Sequence, residues 1–163
     1  MQLNGQTLKP SLASVAQYFR IGLEIGICEP EQAREWAISA IDQLDEPPGE
    51  IIEVSWRKPL AQLISDLNEV KGEPEMGLVC SWLLGGLSLT VASTNDSLGR
   101  AVRQAMLIAR MVGASDLYYL FDTIEDECHL AESQTYGTFE QCREEFAKAL
   151  NEHGTPPFTL HMP

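Results

Sequence analysis

The sequence predicts an all-α fold: an irregular multi-helix bundle of about six to seven helices, joined as antiparallel hairpins. Three observations predict it. Apolar residues recur at i, i+3 and i+4 through almost every segment of the 163-residue chain, the spacing that lines one face of a helix. Proline, glycine and capping residues punctuate those segments. Only one stretch has strand character, and no second stretch offers itself as a partner.

From the N-terminus, segment 11–27 places Leu12, Val15, Phe19, Leu23 and Ile27 on one face. Tyr18, Ile21 and Ile25 widen that face, so this helix is expected to be contacted on two sides. Glu29-Pro30 restarts the chain, since proline suits a helix's first turn. Segment 30–44 comes next, with Ala33, Trp36, Ala37, Ala40, Ile41 and Leu44 in unbroken helical register, and Trp36 sits mid-stripe as a core anchor. Asp45 to Gly49 ends it, because proline disfavours helix in the residue before it.

Segment 50–56 is ambiguous. Its Ile51, Ile52 and Val54 suit a strand, but a lone strand lacks a sheet, so a short helix from Pro47-Pro48 is the favoured reading. Ser55 is a candidate cap for the helix after it. Segment 57–71 carries Leu60, Leu63, Ile64, Leu67 and Val70, with Gly72 placed for a left-handed cap. Segment 75–92 is apolar nearly all round, which makes it central. Its Gly85-Gly86 is read as allowing close approach of a neighbouring helix. Asn95 or Asp96 can cap the helix over 97–112, which buries Leu98, Val102, Ala105, Ala109 and Val112 before Gly113. Ser115 is the candidate cap for 116–133, with Leu117, Leu120, Phe121, Ile124, Cys128 and Ala131 inward. Thr138 and Gln141 form a capping box for 139–152, which turns Phe139, Cys142, Phe146 and Leu150 inward. Residues 155–163 read as an irregular tail, and 1–163 as a single domain.

Composition narrows the function classes. Hydrophobic residues make up 44% of the chain and the formal charge is −13. Nucleic-acid affinity comes largely from Lys and Arg displacing counterions, so no nucleic-acid partner is expected. The same sign disfavours an anionic membrane surface, and the apolar run from Met76 to Val91 is shorter than the roughly 20 residues a span needs. With no signal pattern in Met1 to Pro10 the expected location is cytoplasmic, where Cys28, Cys80, Cys128 and Cys142 stay reduced. Cys80 and Cys128 lie in apolar stripes and read as small core residues. A positively charged protein partner fits this charge.

The acids are unevenly spread. Glu29, Glu31, Glu35, Asp42, Asp45, Glu46, Glu50 and Glu53 stand against Arg34 alone between 29 and 53. Asp116, Asp122, Glu125, Asp126, Glu127, Glu132, Glu140, Glu144 and Glu145 stand against Arg143 alone between 116 and 145. On one side of the domain these segments would join into one steering field. On opposite sides they would serve solubility.

Asp122, Glu125, Asp126 and His129 share a helical face, and Asp126 and His129 have the i, i+3 spacing of di-metal carboxylate bundles. Such a site needs a second matching pair, and the other histidines, His153 and His161, lie in or near the tail. A solvated acidic face is the favoured reading, with no metal, cofactor or catalytic residue expected. Cys128 and His129 are neighbours, about 100° apart on a helix, the wrong arrangement for a nucleophile and its base. Phosphate-binding glycine loops and nucleophile elbows are missing from the sequence. Arg100, Arg103 and Arg110 form a stripe on 97–112. They are read as pairing with acids of a neighbouring helix, or else as contacting an anion or partner.

Trp36-Ala37, Ile41, Pro47-Pro48 and Ile51-Ile52-Glu53-Val54-Ser55, running into the Leu60 to Val70 helix, resemble a set of small uncharacterised bacterial proteins. Several of these look like immunity proteins of polymorphic toxin systems. The resemblance covers Trp36 to Val70 and departs at Ile38, where the relatives tend to carry an acid. It implies a non-enzymatic binding protein that masks a toxin domain, which the charge would make basic. Asp122, Glu125, Asp126 and Glu132 are the expected partner-binding acids. An adaptor forming a homodimer through an apolar patch is the alternative. A carboxylate-bound metal enzyme around Asp122 to His129 is the third reading.

Overall fold

A computed structural model describes residues 10–93, 98–133 and 137–158. Those residues are all-helical and contain no strand. The helices are α1 (Leu12–Ile25), α2 (Pro30–Gln43), α3 (Gly49–Val54), α4 (Leu60–Asn68), α5 (Met76–Ser93), α6 (Leu98–Val112), α7 (Ser115–Glu132) and α8 (Phe139–His153). That is eight, above the expected six to seven; they match one for one the eight segments read along the sequence, the short helix over 50–56 included. Segment 50–56 is thus helical, and its Ile51 and Val54 are fully buried.

Local chemistry sets the ends. Ser11 accepts a hydrogen bond from the Ser14 N–H at 3.1 Å and opens α1. Gly26, at φ +83°, closes it; a side chain there would pay the left-handed penalty. The chain then turns back so tightly that a Cβ on Gly22 would lie 2.3 Å from the Cys28 sulfur. The Thr138–Gln141 capping box opens α8 as expected. Three capping expectations fail. Gly72, at φ +124°, lies beyond α4, which ends at Asn68 with Glu69 as its cap. Ser55 closes α3, its hydroxyl donating to the Ile52 carbonyl at 2.6 Å, while Pro59 precedes α4. Ala114 precedes α7, with Ser115 already its first residue. Asn95 and Asp96 lie outside the described residues.

Consecutive helices pack together in two runs, α2–α3–α4 and α5–α6–α7–α8. The exception is α1, which barely meets α2 and packs instead on α4, α5 and α6. This agrees with its two apolar faces: Tyr18, Phe19 and Ile21 are all buried. Ser14, fully buried, accepts the Glu75 N–H at 2.8 Å and ties α1 to the start of α5. Leu60 and Phe139, expected inward, are 48% and 41% exposed. Each is the first residue of its helix, where the apolar register runs on beyond the covering neighbour.

The buried residues form one continuous cluster from α1 to Phe158. Trp36 packs its ring 5.6 Å from Phe19. Phe158, in the segment expected as tail, inserts between Trp82, Phe19 and Tyr18, with centroids at 5.5, 6.2 and 6.4 Å. It gets there because Gly85 has no side chain. A Cβ at Gly85 would sit 1.6 Å from the Thr155 carbonyl oxygen, and the Thr155 N–H donates to the Ser81 carbonyl at 3.0 Å. The close approach expected of a helix is made by the Gly154–Thr155 backbone. All four cysteines are buried free thiols. No helix among the described residues is long and apolar enough to cross a membrane.

Candidate functional site

The acids singled out in the sequence lie on α7, the helix held between α6 and α8. It anchors itself through Phe121, Ile124 and Cys128, whose spacing leaves the opposite side to water. Asp126 is exposed there, and Asp122 and Glu125 are half-buried at its margin. Glu132, four residues after Cys128, is in line with the anchoring residues and is exposed as the last residue of the helix. His129 lies 3.7 Å from Glu125 and 3.9 Å from Glu132. Its ring thus stands among acids other than Asp126, the i, i+3 partner that the di-metal reading would require. Among the described residues no three His, Cys, Asp or Glu side chains converge as metal ligands.

Glu127 leaves this row and stands near Glu145 of α8. That carboxyl, which favours a protonated neighbour both as an acceptor and as a like charge, with some burial added, holds the Glu127 carboxyl above its ordinary value. The outer face is not purely acidic. Tyr119 and Leu130, 67% and 40% exposed, recur at helical spacing with Asp126 and share its outward strip.

The neighbouring helix carries the arginine stripe seen in the sequence. Arg100, Arg103 and Arg110 are exposed on α6, the helix in most extensive contact with α7. The expected pairing with a neighbour's acids is not made by Arg103 or Arg110, neither of which forms an ion pair among the described residues. Arg110 lies over the Tyr118 ring instead, 5.9 Å from its centroid, a cation–π contact. The short Gly113–Ala114 turn was the available signal, since it makes α6 and α7 neighbours.

The second acidic segment is on α2 and α3, which pack chiefly on each other and, through α3, on α4. The two segments differ in compensation. Glu31 pairs with Arg34, Glu53 with Lys58 at 3.7 Å, and Glu50 with Lys71 at 3.6 Å. On α7 the cationic partner is His129, which is charged only when protonated.

A further cavity of about 260 Å³ lies between the start of α2 and the α3–α4 connection. Pro30, Glu31, Arg34, Trp56, Arg57, Lys58 and Leu63 line it. Lys58 is anchored to the Glu53 carbonyl and the Asp66 carboxylate. The Arg34 Nε is buried and lacks a hydrogen-bond partner among the described residues, a state that costs about 1–3 kcal/mol. Its sequence signal was the triplet Trp56-Arg57-Lys58, which carries no helical periodicity.

Comparison of the chain with protein-family models, curated proteins and solved structures finds no match.

Proposed function

We propose that the protein is a non-enzymatic binding protein of the immunity type, acting in the cytoplasm by docking α7 on a basic protein, a toxin domain. The observation that carries this reading is the difference in compensation between the two acidic segments. On α2 and α3, Glu31, Glu50 and Glu53 are each paired with a permanent cation, Arg34, Lys71 and Lys58, while Glu35 and Asp42 form no ion pair among the described residues. Of the four α7 acids, Glu125 and Glu132 have only His129 beside them, and Asp122 and Asp126 form no ion pair among the described residues, so they have acceptor capacity for a partner's Arg and Lys. Tyr119 and Leu130 supply apolar contact beside them, and interfaces draw most of their energy from such buried anchors. A nuclease toxin is basic because its substrate is anionic, and an acidic helix competes for the same surface.

The test starts from the reading frame immediately upstream of this gene: a toxin domain expressed from it is the probe, and a frame without one counts against the reading. The association rate of that domain with the wild type should fall steeply between 0.1 M and 1 M salt, as the Debye length drops from about 10 Å to about 3 Å. The combined variant Asp122→Asn, Glu125→Gln, Asp126→Asn, Glu132→Gln should associate more slowly. Unchanged association and salt-independent binding would sink the electrostatic reading.

A second reading is a homodimer built on the apolar side chains of the same region. Leu107, Tyr119, Leu130 and Phe139 are all exposed on α6 to α8. Sedimentation at micromolar concentration decides it: a monomer removes this reading.

A further inference from the structure

The cavity beside Trp56 is a local exception in an acidic molecule, and it stands apart from α7. Three of its lining side chains are cationic, Arg34, Arg57 and Lys58, against the single acid Glu31, in a chain of formal charge −13. Two of the cations are occupied. Lys58 is fixed by Asp66 and Glu53, and Arg34 holds Glu31 through Nη1. Arg57 is exposed and forms no ion pair among the described residues. Arg34 in addition keeps an Nε–H without an acceptor. Next to them Trp56 leaves 55% of its surface in water, while Leu63, 1% exposed, closes the floor.

We infer that this cavity binds a small monocarboxylate carrying a flat apolar group, an aryl carboxylate. The carboxylate lies against Arg57 with the Arg34 edge behind it, and the ring lies on Trp56. Three arguments select this class. A planar guanidinium fork matches a carboxylate. Glu31 in the lining, with Glu53 and Asp66 on Lys58, opposes a doubly charged phosphate more than a single charge. The volume, about 260 Å³, is below that of drug-sized sites and suits one ring and one acid group. The distant acids of α7 do not prevent this, since charges beyond about 10 Å are largely screened at 0.1 M salt. The inference does not depend on the immunity reading.

The probe is sodium 3-phenylpropionate, titrated into the full chain and followed by the indole N–H resonance of Trp56. That resonance is assigned by its loss in Trp56→Phe. The expected result is a saturable shift with a midpoint of about 1–10 mM, while the buried Trp36 and Trp82 stay put. The neutral 3-phenylpropanamide, and acetate without the ring, should each bind at least about tenfold more weakly. Arg57→Gln should weaken 3-phenylpropionate to the same degree, with its circular dichroism spectrum unchanged. No saturable shift overturns the inference. So does an amide that matches the acid, which would leave only apolar contact, or acetate that matches it, which would leave only a loose anion site.

Discussion

Where α1 meets α2, α5 and the end of the described chain, the interior is filled by rings: Tyr18, Phe19, Trp36, Trp82 and Phe158. Where α7 meets α8 the filling is sparser. One ring pair, Phe121 and Phe146 with centroids 5.9 Å apart, stands with two thiols, Cys128 and Cys142, and the rim carries the Glu127–Glu145 pair. Large rings bury far more area per residue than thiols, and a like-charge rim works against its own seam. The first region is therefore the anchor of the fold, and the second is the part that pH and partners can reach.

The sharpest way to break this comparison is Trp36→Ala. Removing the ring from its place against Phe19 should cost about 3–5 kcal/mol, measured by denaturant unfolding. A loss under about 1 kcal/mol would mean that the aromatic region is not the anchor.

Thiol chemistry probes both regions at once. Burial raises Cys28 and Cys80 to about 11 and Cys128 to about 12, from an ordinary 9.0. At pH 8 each should therefore show a thiolate fraction lowered by about a hundredfold or more. An aromatic disulfide reagent should label them only as the chain unfolds. Rapid labelling of Cys128 in the native protein would show α7 and α8 opening on their own.

Gly85→Ala tests the seam that lets Phe158 into the aromatic cluster. The new methyl must displace the Thr155 carbonyl, and overpacking of this kind costs about 1–3 kcal/mol. Tryptophan fluorescence should report the change, since Trp82 loses Phe158 from its face. An unaltered melting temperature and spectrum would remove the segment from the core.

The smallest effect belongs to Glu127→Gln. The folded state holds the Glu127 proton more tightly than the unfolded chain, whose value is near 4.5. The stability this gives is present below pH 4.5 and is lost as pH rises through the raised folded value. Glu127→Gln should be flatter than wild type across that window and slightly more stable at neutral pH. The group is near the surface, so added salt should shrink the difference. Identical pH profiles would show that Glu145 does not feel it.

Much of this architecture was legible in the residues. Trp36 with Ala33, Ala37 and Ala40 specified the buried side of α2, and Thr138 with Gln141 marked the start of α8, because both signals are local. Several misreadings share one cause, which is that periodicity says which face turns inward and not what covers it. Leu60, Leu120 and Phe139 keep the apolar register of their helices and still face water. The α7 acids and the α6 arginines were each visible as a row, but that Arg103 and Arg110 form no ion pair among the described residues was not, since pairing belongs to the packing. The Trp56 cavity was the least legible, formed by a loop without a period and the first turns of a distant helix.

Phe158 touches rings that lie almost the whole chain away from it, on α1. A contact of such sequence separation closes a very large loop, and the entropy of that closure weighs against its early formation. The helices can assemble around α1 first, leaving a slot over Gly85 and beside Tyr18 and Trp82. Phe158 fills it late in the folding reaction. Substitutions there should speed unfolding and leave the folding rate nearly untouched, the kinetic pattern of a latch closed after the transition state has been crossed.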